Sequence, residues 1–377
     1  MNAIYLDNAA TTKIDNDVLE TMYKSMQEVS GNPSSTHQFG RKAKSAVETA
    51  RKNIAKQFNV TAQEIVFTAG GTEADNLILK NAVLHLGVKR IITSKLEHHA
   101  VLHTCQFLEK KQNIIVNYVA TDTNGVINLS HLEELLKNDT KKTLVSLMHI
   151  NNEVGTILPL EKVSNLCKDN AALFHSDTVQ TIGHYPLDLS KVKIDFIACS
   201  AHKFHGPKGV GFAYFRKGFG ILPMIHGGDQ ERGARSSTEN VHGILGMEKA
   251  LENAYAHLTK DKLHIEYVKK HFIKKLLKIN PSIAFNGSSN DFTKSTYTIV
   301  NVRFPIQNDM LLFSLDMADI AVSGGSACQS GSNKGSHVLE ELQTEEQTNT
   351  TSVRFSFSKY TTLEEIDRTL HKIKELL

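Results

Sequence analysis

No apolar run in this 377-residue chain approaches the roughly 20 residues that a membrane span needs. The start, MNAIYLDNAATTK, has no apolar signal core and carries Asp7 early, so we read no signal peptide. Four cysteines are too few for a disulfide framework in a chain of this length. Cys105 and Cys199 sit in apolar or helical surroundings and read as core thiols, and Cys167 reads as helical. A reducing, cytoplasmic home is expected. There is no long basic block: 43 Lys and Arg are well mixed with 40 Asp and Glu, so direct nucleic-acid binding is not implied. No internal repeat is visible.

What is present is an alternation. From about Glu64, short apolar runs (EIVFT, RIITS, NIIVNYVA, TLVSLMHI, AALFHSD, DFIACS, VGFAYF) are separated by segments with helical spacing. This predicts an α/β fold with a parallel or mixed sheet covered on both faces. A continuous helical pattern from about Val241 to Ile279 then reads as a bridge to a smaller α+β domain. That domain holds the strand candidates SIAF, STYTIVNVRF and SVRFSFS, a helix around DMLLFSLDM, and a last helix capped by Thr362 and Glu365.

In open α/β sheets, ligands bind beyond the carboxyl ends of the strands. After EIVFT comes Gly70-Gly71-Thr72, either an anion cradle at a helix start or a tight turn. After RIITS comes His98, either a ring-stacking proton carrier or a loop histidine. His99, His103 and Cys105 have a weak metal-like spacing, but no carboxylate or second thiol completes a ligand set, so no metal is expected. After AALFHS comes Asp177, a partner for a protonated ring nitrogen or a helix N-cap. After DFIACS comes Lys203 in SAHKFHGPKG, a Schiff-base lysine or a solvated one. Taken together in this order, the four fit pyridoxal 5′-phosphate (PLP).

One further segment stands out. Nine of the fourteen residues from Ser323 to Ser336 are Ser or Gly, and Cys328 stands among them. Such a tether is no place for a packed thiol.

With these motifs the chain resembles the group I cysteine desulfurases of the NifS/IscS type, within the class V aminotransferases of PLP fold type I. The resemblance runs nearly end to end, through LDNAATT, GNPSS, FTAGGTEADN, SKLEHHAVL, HINNEVG, SDTVQ, SAHKFHGPKGVG, HGGDQERGARSST, GSAC and SVRFSFS. It implies a large PLP-binding domain (15–258) with a central, mostly parallel seven-stranded sheet. A small domain (1–14 and 259–377) would carry the mobile catalytic cysteine loop at about 324–337. Lys203 would hold PLP, His98 would stack on its ring and move protons, and Asp177 would pair with the ring nitrogen. Gln180 and Asn152 would contact the ring oxygen. Gly71, Thr72, Ser200 and His202 would hold the phosphate, and Thr238 would reach the phosphate site of a second copy in a homodimer. Arg354, with Asn152 and Asn32, would bind the substrate, the guanidinium offering a planar two-pronged fit to a carboxylate. Cys328 would take sulfur from L-cysteine as a persulfide, leaving L-alanine, with an iron–sulfur scaffold or a tRNA-thiolation protein as acceptor. The same cofactor set also serves a selenocysteine lyase, an aminotransferase, or a scaffold that has kept the fold. The chain departs from the family at Ser237, where a glycine is usual, near Gly335, where a proline is usual, and at Phe357-Ser358-Lys359, where a Leu-Gly-Arg-like sequence is usual.

Overall fold

Each apolar run of the alternating region forms a strand whose successive side chains feed opposite faces of one sheet. The computed structural model describes residues 3–308, 310–324 and 335–377; Cys328 and most of its Gly/Ser segment lie outside the described residues. In chain order, β1 (Ile4–Tyr5) is followed by α1 (Asn16–Glu28) and α2 (Gln38–Gln57). Then come β2 (Ile65–Thr68), α3 (Gly71–Leu84), β3 (Arg90–Thr93), α4 (His99–Gln112), β4 (Ile115–Tyr118) and α5 (Leu129–Lys137). The series continues with β5 (Thr143–Ser146), α6 (Leu160–Asp169), β6 (Leu173–Asp177), β7 (Phe196–Ser200) and β8 (Gly211–Phe215).

Seven of these strands make one sheet in the order β2-β8-β7-β6-β5-β3-β4. Strands β4, β3, β5, β6 and β7 run parallel, and β8 runs antiparallel to both of its neighbours. Ile65, Phe67, Ile197, Cys199, Phe212 and Tyr214 join the core on one face. Their alternates Val66, Phe196, Ala198, Ala213 and Phe215 join the core on the other. Both faces are covered, which is why most of these strands read as apolar runs rather than as apolar–polar alternation.

The expected continuous helix over 241–279 is two helices, α7 (Val241–Ala256) and α8 (Leu258–Ile279), broken at His257 (φ −109°, ψ 7°). The reason lies in their partners. Val241, Ile244, Met247 and Leu251 of α7 pack into the core of the large sheet. Ile265, Val268, Phe272 and Leu276 of α8 pack into a separate core with Phe304, Phe355 and Ile373. A change of direction at His257 lets the two stripes serve the two cores.

Beyond α8 come β9 (Ala284–Phe285), β10 (Ile299–Phe304), α9 (Leu311–Asp316), β11 (Ile320–Ala321), α10 (His337–Leu342), α11 (Glu345–Thr348), β12 (Thr351–Ser356) and α12 (Leu363–Leu376). All but α10 and α11 build the second core, and α10 packs Val338, Leu339 and Leu342 against Leu96 and Val154. A three-stranded antiparallel sheet runs β12-β10-β9. Thr362 and Glu365 form the expected capping box: the Thr362 N–H donates to Glu365 Oε2 at 2.7 Å and the Glu365 N–H to Thr362 Oγ1 at 3.2 Å.

The chain start belongs to this second core. β1 pairs in parallel with β11, and Ile4 and Leu6 pack with Ile265 and Phe355. Residues 7–12 then cross between the two sheets. The Ala9 N–H donates to Ser356 Oγ (2.8 Å) and the Thr12 N–H to the His202 carbonyl (2.9 Å). This crossing puts the LDNAATT backbone against the lysine segment. No helix of the described residues is long and apolar enough to cross a membrane.

Candidate active site

The carboxyl ends of β2, β3, β5, β6 and β7 all face one cavity of about 190 Å³. The structure brings Gly71, Thr72, His98, Asn152, Asp177, Gln180, Ser200, His202, Lys203 and Arg354 together on its wall.

Lys203 follows β7 in a single turn of 3₁₀ helix, Ala201–Lys203. Its Nζ donates to the carbonyls of Ala9 (2.7 Å) and Ala10 (2.8 Å), so the crossing N-terminal segment holds the amine at the cavity wall. The Lys203 carbonyl accepts from His184 Nε2 at 3.0 Å, which fixes the backbone behind it. Gln180 Nε2 also donates to the Ala9 carbonyl, at 2.9 Å.

Asp177 ends β6, buried at 6% exposure, and accepts the Val179 N–H at 2.9 Å. Burial pushes its carboxyl up to about 6, against the pull of that hydrogen bond and of the Lys203 charge. His98 caps α4: its Nδ1 accepts the Ala100 N–H at 3.1 Å, which leaves the ring proton on Nε2. Burial, and then the Lys203 charge, lower its pKa to about 4, so the ring is neutral near pH 7. His202 is lowered to about 4 by the same two causes, and its Nδ1 lies 3.1 Å from Thr11 Oγ1.

At the other end of the cavity, α3 begins at Gly71 with Ser200 beside it. The first amides of a helix have no partner within it and suit an anion. Gly70 takes φ +153°, and a Cβ at Gly71 would lie 2.5 Å from Val179 Cγ2. Glycine is therefore required at 71 for the helix start to sit this close to the end of β6.

Arg354 is 1% exposed although β12 is an edge strand, because it points inward between the two sheets. Nη1 donates to the Asn152 carbonyl (2.7 Å) and Nη2 to Asp7 Oδ1 (2.8 Å). Its Nε is buried and has no hydrogen-bond partner.

Two expected residues lie elsewhere. Asn32 is exposed in the α1–α2 connection, its Oδ1 accepting the Ser34 N–H at 2.9 Å, and is not on the cavity wall. Thr238 is exposed and lines a different cavity, with Arg235 and Ser237. Other residues of the site were not foreseen: the carbonyls of Ala9 and Ala10, Asp7 as the partner of Arg354, and Asp75 on the cavity wall. Asp75 had a signal, being an acid on a face of α3 otherwise made of Ala74, Ile78 and Leu79. The His99 and His103 rings stack at 4.7 Å, and Cys105 is fully buried in the core. Among the described residues no group of three or more His, Cys, Asp or Glu is placed to hold a metal ion.

The donor set fits PLP. A lysine amine, a buried carboxylate and a neutral imidazole converge with a glycine-backed helix start. Arg354 lines the same cavity, and its buried Nε is a donor left without a partner.

The aminotransferase class-V family matches residues 4–369. The cysteine desulfurase IscS of Dictyoglomus turgidum is 41% identical over 377 residues, covering 99% of this chain and 94% of that protein. The putative cysteine desulfurase IscS 1 of Bacillus subtilis is 42% identical, covering 97% of this chain and 96% of that protein. Among solved structures, a NifS-like protein superposes with a TM-score of 0.90 at 40% identity, covering 99% of both chains. SspA in complex with cysteine superposes at 0.79 with 32% identity, covering 95% of this chain and all of that one. The chain belongs to the class V aminotransferases, which are PLP-dependent enzymes of fold type I. Within them it belongs to the cysteine desulfurases of the NifS/IscS type.

Proposed function

We propose that this protein takes the sulfur atom from L-cysteine, leaves L-alanine, and passes the sulfur on as a persulfide of Cys328. The observation that carries this reading is the convergence of Lys203, Asp177, His98 and Arg354 on one cavity. When bound, PLP supplies an electron sink for the substrate's α-carbon.

The chain's own residues do the rest. Lys203 would hold the cofactor through its amine, which the Ala9 and Ala10 carbonyls keep at the cavity wall. Asp177 would pair with the ring nitrogen, and His98 would stack on the ring. The neutral His98 imidazole takes up and returns protons without first losing one, because its pKa lies well below 7. The first amides of α3, with Thr72, Ser200 and His202, would hold the phosphate. Arg354 receives the substrate carboxylate on Nε and one of the two η hydrogens that Asn152 and Asp7 leave free. Cys328 as thiolate attacks the substrate sulfur: the S–S bond forms, the carbon–sulfur bond breaks, and its electron pair returns to the substrate carbon, which is protonated.

The active unit in this reading is a homodimer. Supporting it, Thr238 is exposed and away from this chain's own cavity, free to serve a second copy. Leu19, Tyr23 and Met26 line an exposed apolar stripe on α1. An iron–sulfur scaffold or a tRNA-thiolation protein is the acceptor we propose. The three described cysteines are free and buried, in keeping with a reducing cytoplasm.

The test is to load the protein with PLP, add L-cysteine and a reductant, and assay alanine and sulfide. Both are expected from the native protein and neither from Lys203→Ala. Sulfide release by Cys328→Ala at the native rate would remove the assigned nucleophile. Pyruvate-linked amino transfer without sulfide would favour an aminotransferase.

A further inference from the structure

We propose that Asp75 is a second counter-charge for the ring-nitrogen end of the cofactor cavity, a positioning residue that acts together with Asp177 and is backed by His175. This rests on the PLP reading above.

Asp75 lies on α3, the helix that packs across β6 and β7, and its side chain reaches the cavity wall at 1% exposure. Its Oδ1 is buried without a hydrogen-bond partner. The nearest donor is His175 Nε2 at 3.3 Å, also buried and misaligned for a hydrogen bond. His175 sits two residues before Asp177 on β6, so both side chains leave the same face of the strand. The His175 Nδ1 lies 2.9 Å from Ser146 Oγ on β5. If the serine hydroxyl donates there, the ring proton stands on Nε2, facing Asp75.

The charges around Asp75 leave a gap of one sign. From β6 it faces Asp177, and from the β3–α4 connection it faces Glu97. The remaining titratable neighbours are His175, held neutral by burial, and the Cys105 thiol of α4, which burial keeps protonated. Glu97 is itself occupied, accepting the Met148 N–H. Two buried acids, Asp75 and Asp177, thus share the cavity wall with Glu97 close behind them, and an acid so buried stays ionised only beside a cation. A protonated ring nitrogen supplies that cation. Asp177 alone would answer its charge; Asp75, on the same cavity wall, adds a second negative charge and makes the nitrogen harder to deprotonate.

The experiment follows the ring nitrogen directly. The holoenzyme is reconstituted with PLP carrying ¹⁵N in the ring, and the nitrogen's chemical shift is titrated against pH. Asp75→Asn keeps the shape and removes the charge. It is expected to lower the ring-nitrogen pKa by at least about one unit, roughly tenfold in proton affinity, and to weaken PLP binding in parallel. A folded Asp75→Asn holoenzyme that titrates like the native one overturns the proposal. Should Asp75→Asn not fold, Ser146→Ala, which releases the His175 ring, is expected to lower the pKa in the same direction, and an unchanged titration overturns the proposal equally. Asp177→Asn separates the two readings: if that nitrogen titrates as in the native protein, the underlying assignment of Asp177 fails instead.

Discussion

Replacing Arg354 by lysine keeps a positive charge at the site and removes the fork. In the structure Nη1 is committed to the Asn152 carbonyl and Nη2 to Asp7, and Nε is the buried donor without a partner. A substrate carboxylate would therefore take Nε and one remaining η hydrogen, two charge-assisted bonds in one plane. Each such bond contributes about 1.5–3 kcal/mol. A lysine can keep one of them but not both. The expected loss is about 2 kcal/mol, or about 30-fold in kcat/KM for L-cysteine. The assay is sulfide release at varied cysteine, run beside 2-aminoethanethiol, which lacks the carboxylate. The native protein should prefer cysteine strongly, and Arg354→Lys should lose most of that preference by losing activity on cysteine alone. Thermal unfolding of both proteins checks that Asp7, deprived of its fork, has not loosened the crossing segment. If the variant stays within threefold of the native kcat/KM on cysteine, Arg354 serves the fold and not the substrate.

Asp177 gives a pH-dependent expectation. Burial raises its carboxyl in the cofactor-free protein to about 6, above its unfolded value of roughly 3.9. The folded state therefore binds more protons between those values, and Asp177 costs stability as pH rises through about 4 to 6, fully so above it. Cofactor-free Asp177→Asn, which can still accept the Val179 N–H, should be more stable than the native protein at pH 7.5 by up to about 3 kcal/mol and equal to it below pH ~4 in urea unfolding. A native protein that is the more stable at pH 7.5 would contradict the burial argument. Ser237 holds φ +116° at an exposed position, a backbone conformation that suits glycine. Ser237→Gly should relieve strain and raise stability by about 1 kcal/mol, and a lower melting temperature would contradict it.

The sheet was legible because its strands are short, mostly apolar runs and its helices carry a 3.6-residue stripe. Lys203, Asp177 and His98 were legible because each lies at or just beyond the carboxyl end of such a strand. The crossing segment was not: β1 finds β11 across more than three hundred residues, and the two-residue strands Ile4–Tyr5 and Ile320–Ala321 carry no period. The Asp7–Arg354 pair depends on that pairing and was hidden with it. The break at His257 escaped because both helices keep a helical pattern; only the separation of their cores shows that one becomes two. Asp75 and His175 meet through the packing of α3 on β6, a contact between residues a hundred positions apart.

The central claim is that a site anchored at Lys203 delivers sulfur to Cys328, and mass spectrometry tests it most directly. The PLP-loaded protein is incubated with L-cysteine, alkylated without reductant and digested. The account predicts that the peptide holding Cys328 gains the mass of one sulfur atom, that the peptides of Cys105, Cys167 and Cys199 do not, and that Lys203→Ala abolishes the gain. Sulfur found on another cysteine, or still found on Cys328 in Lys203→Ala, would contradict it.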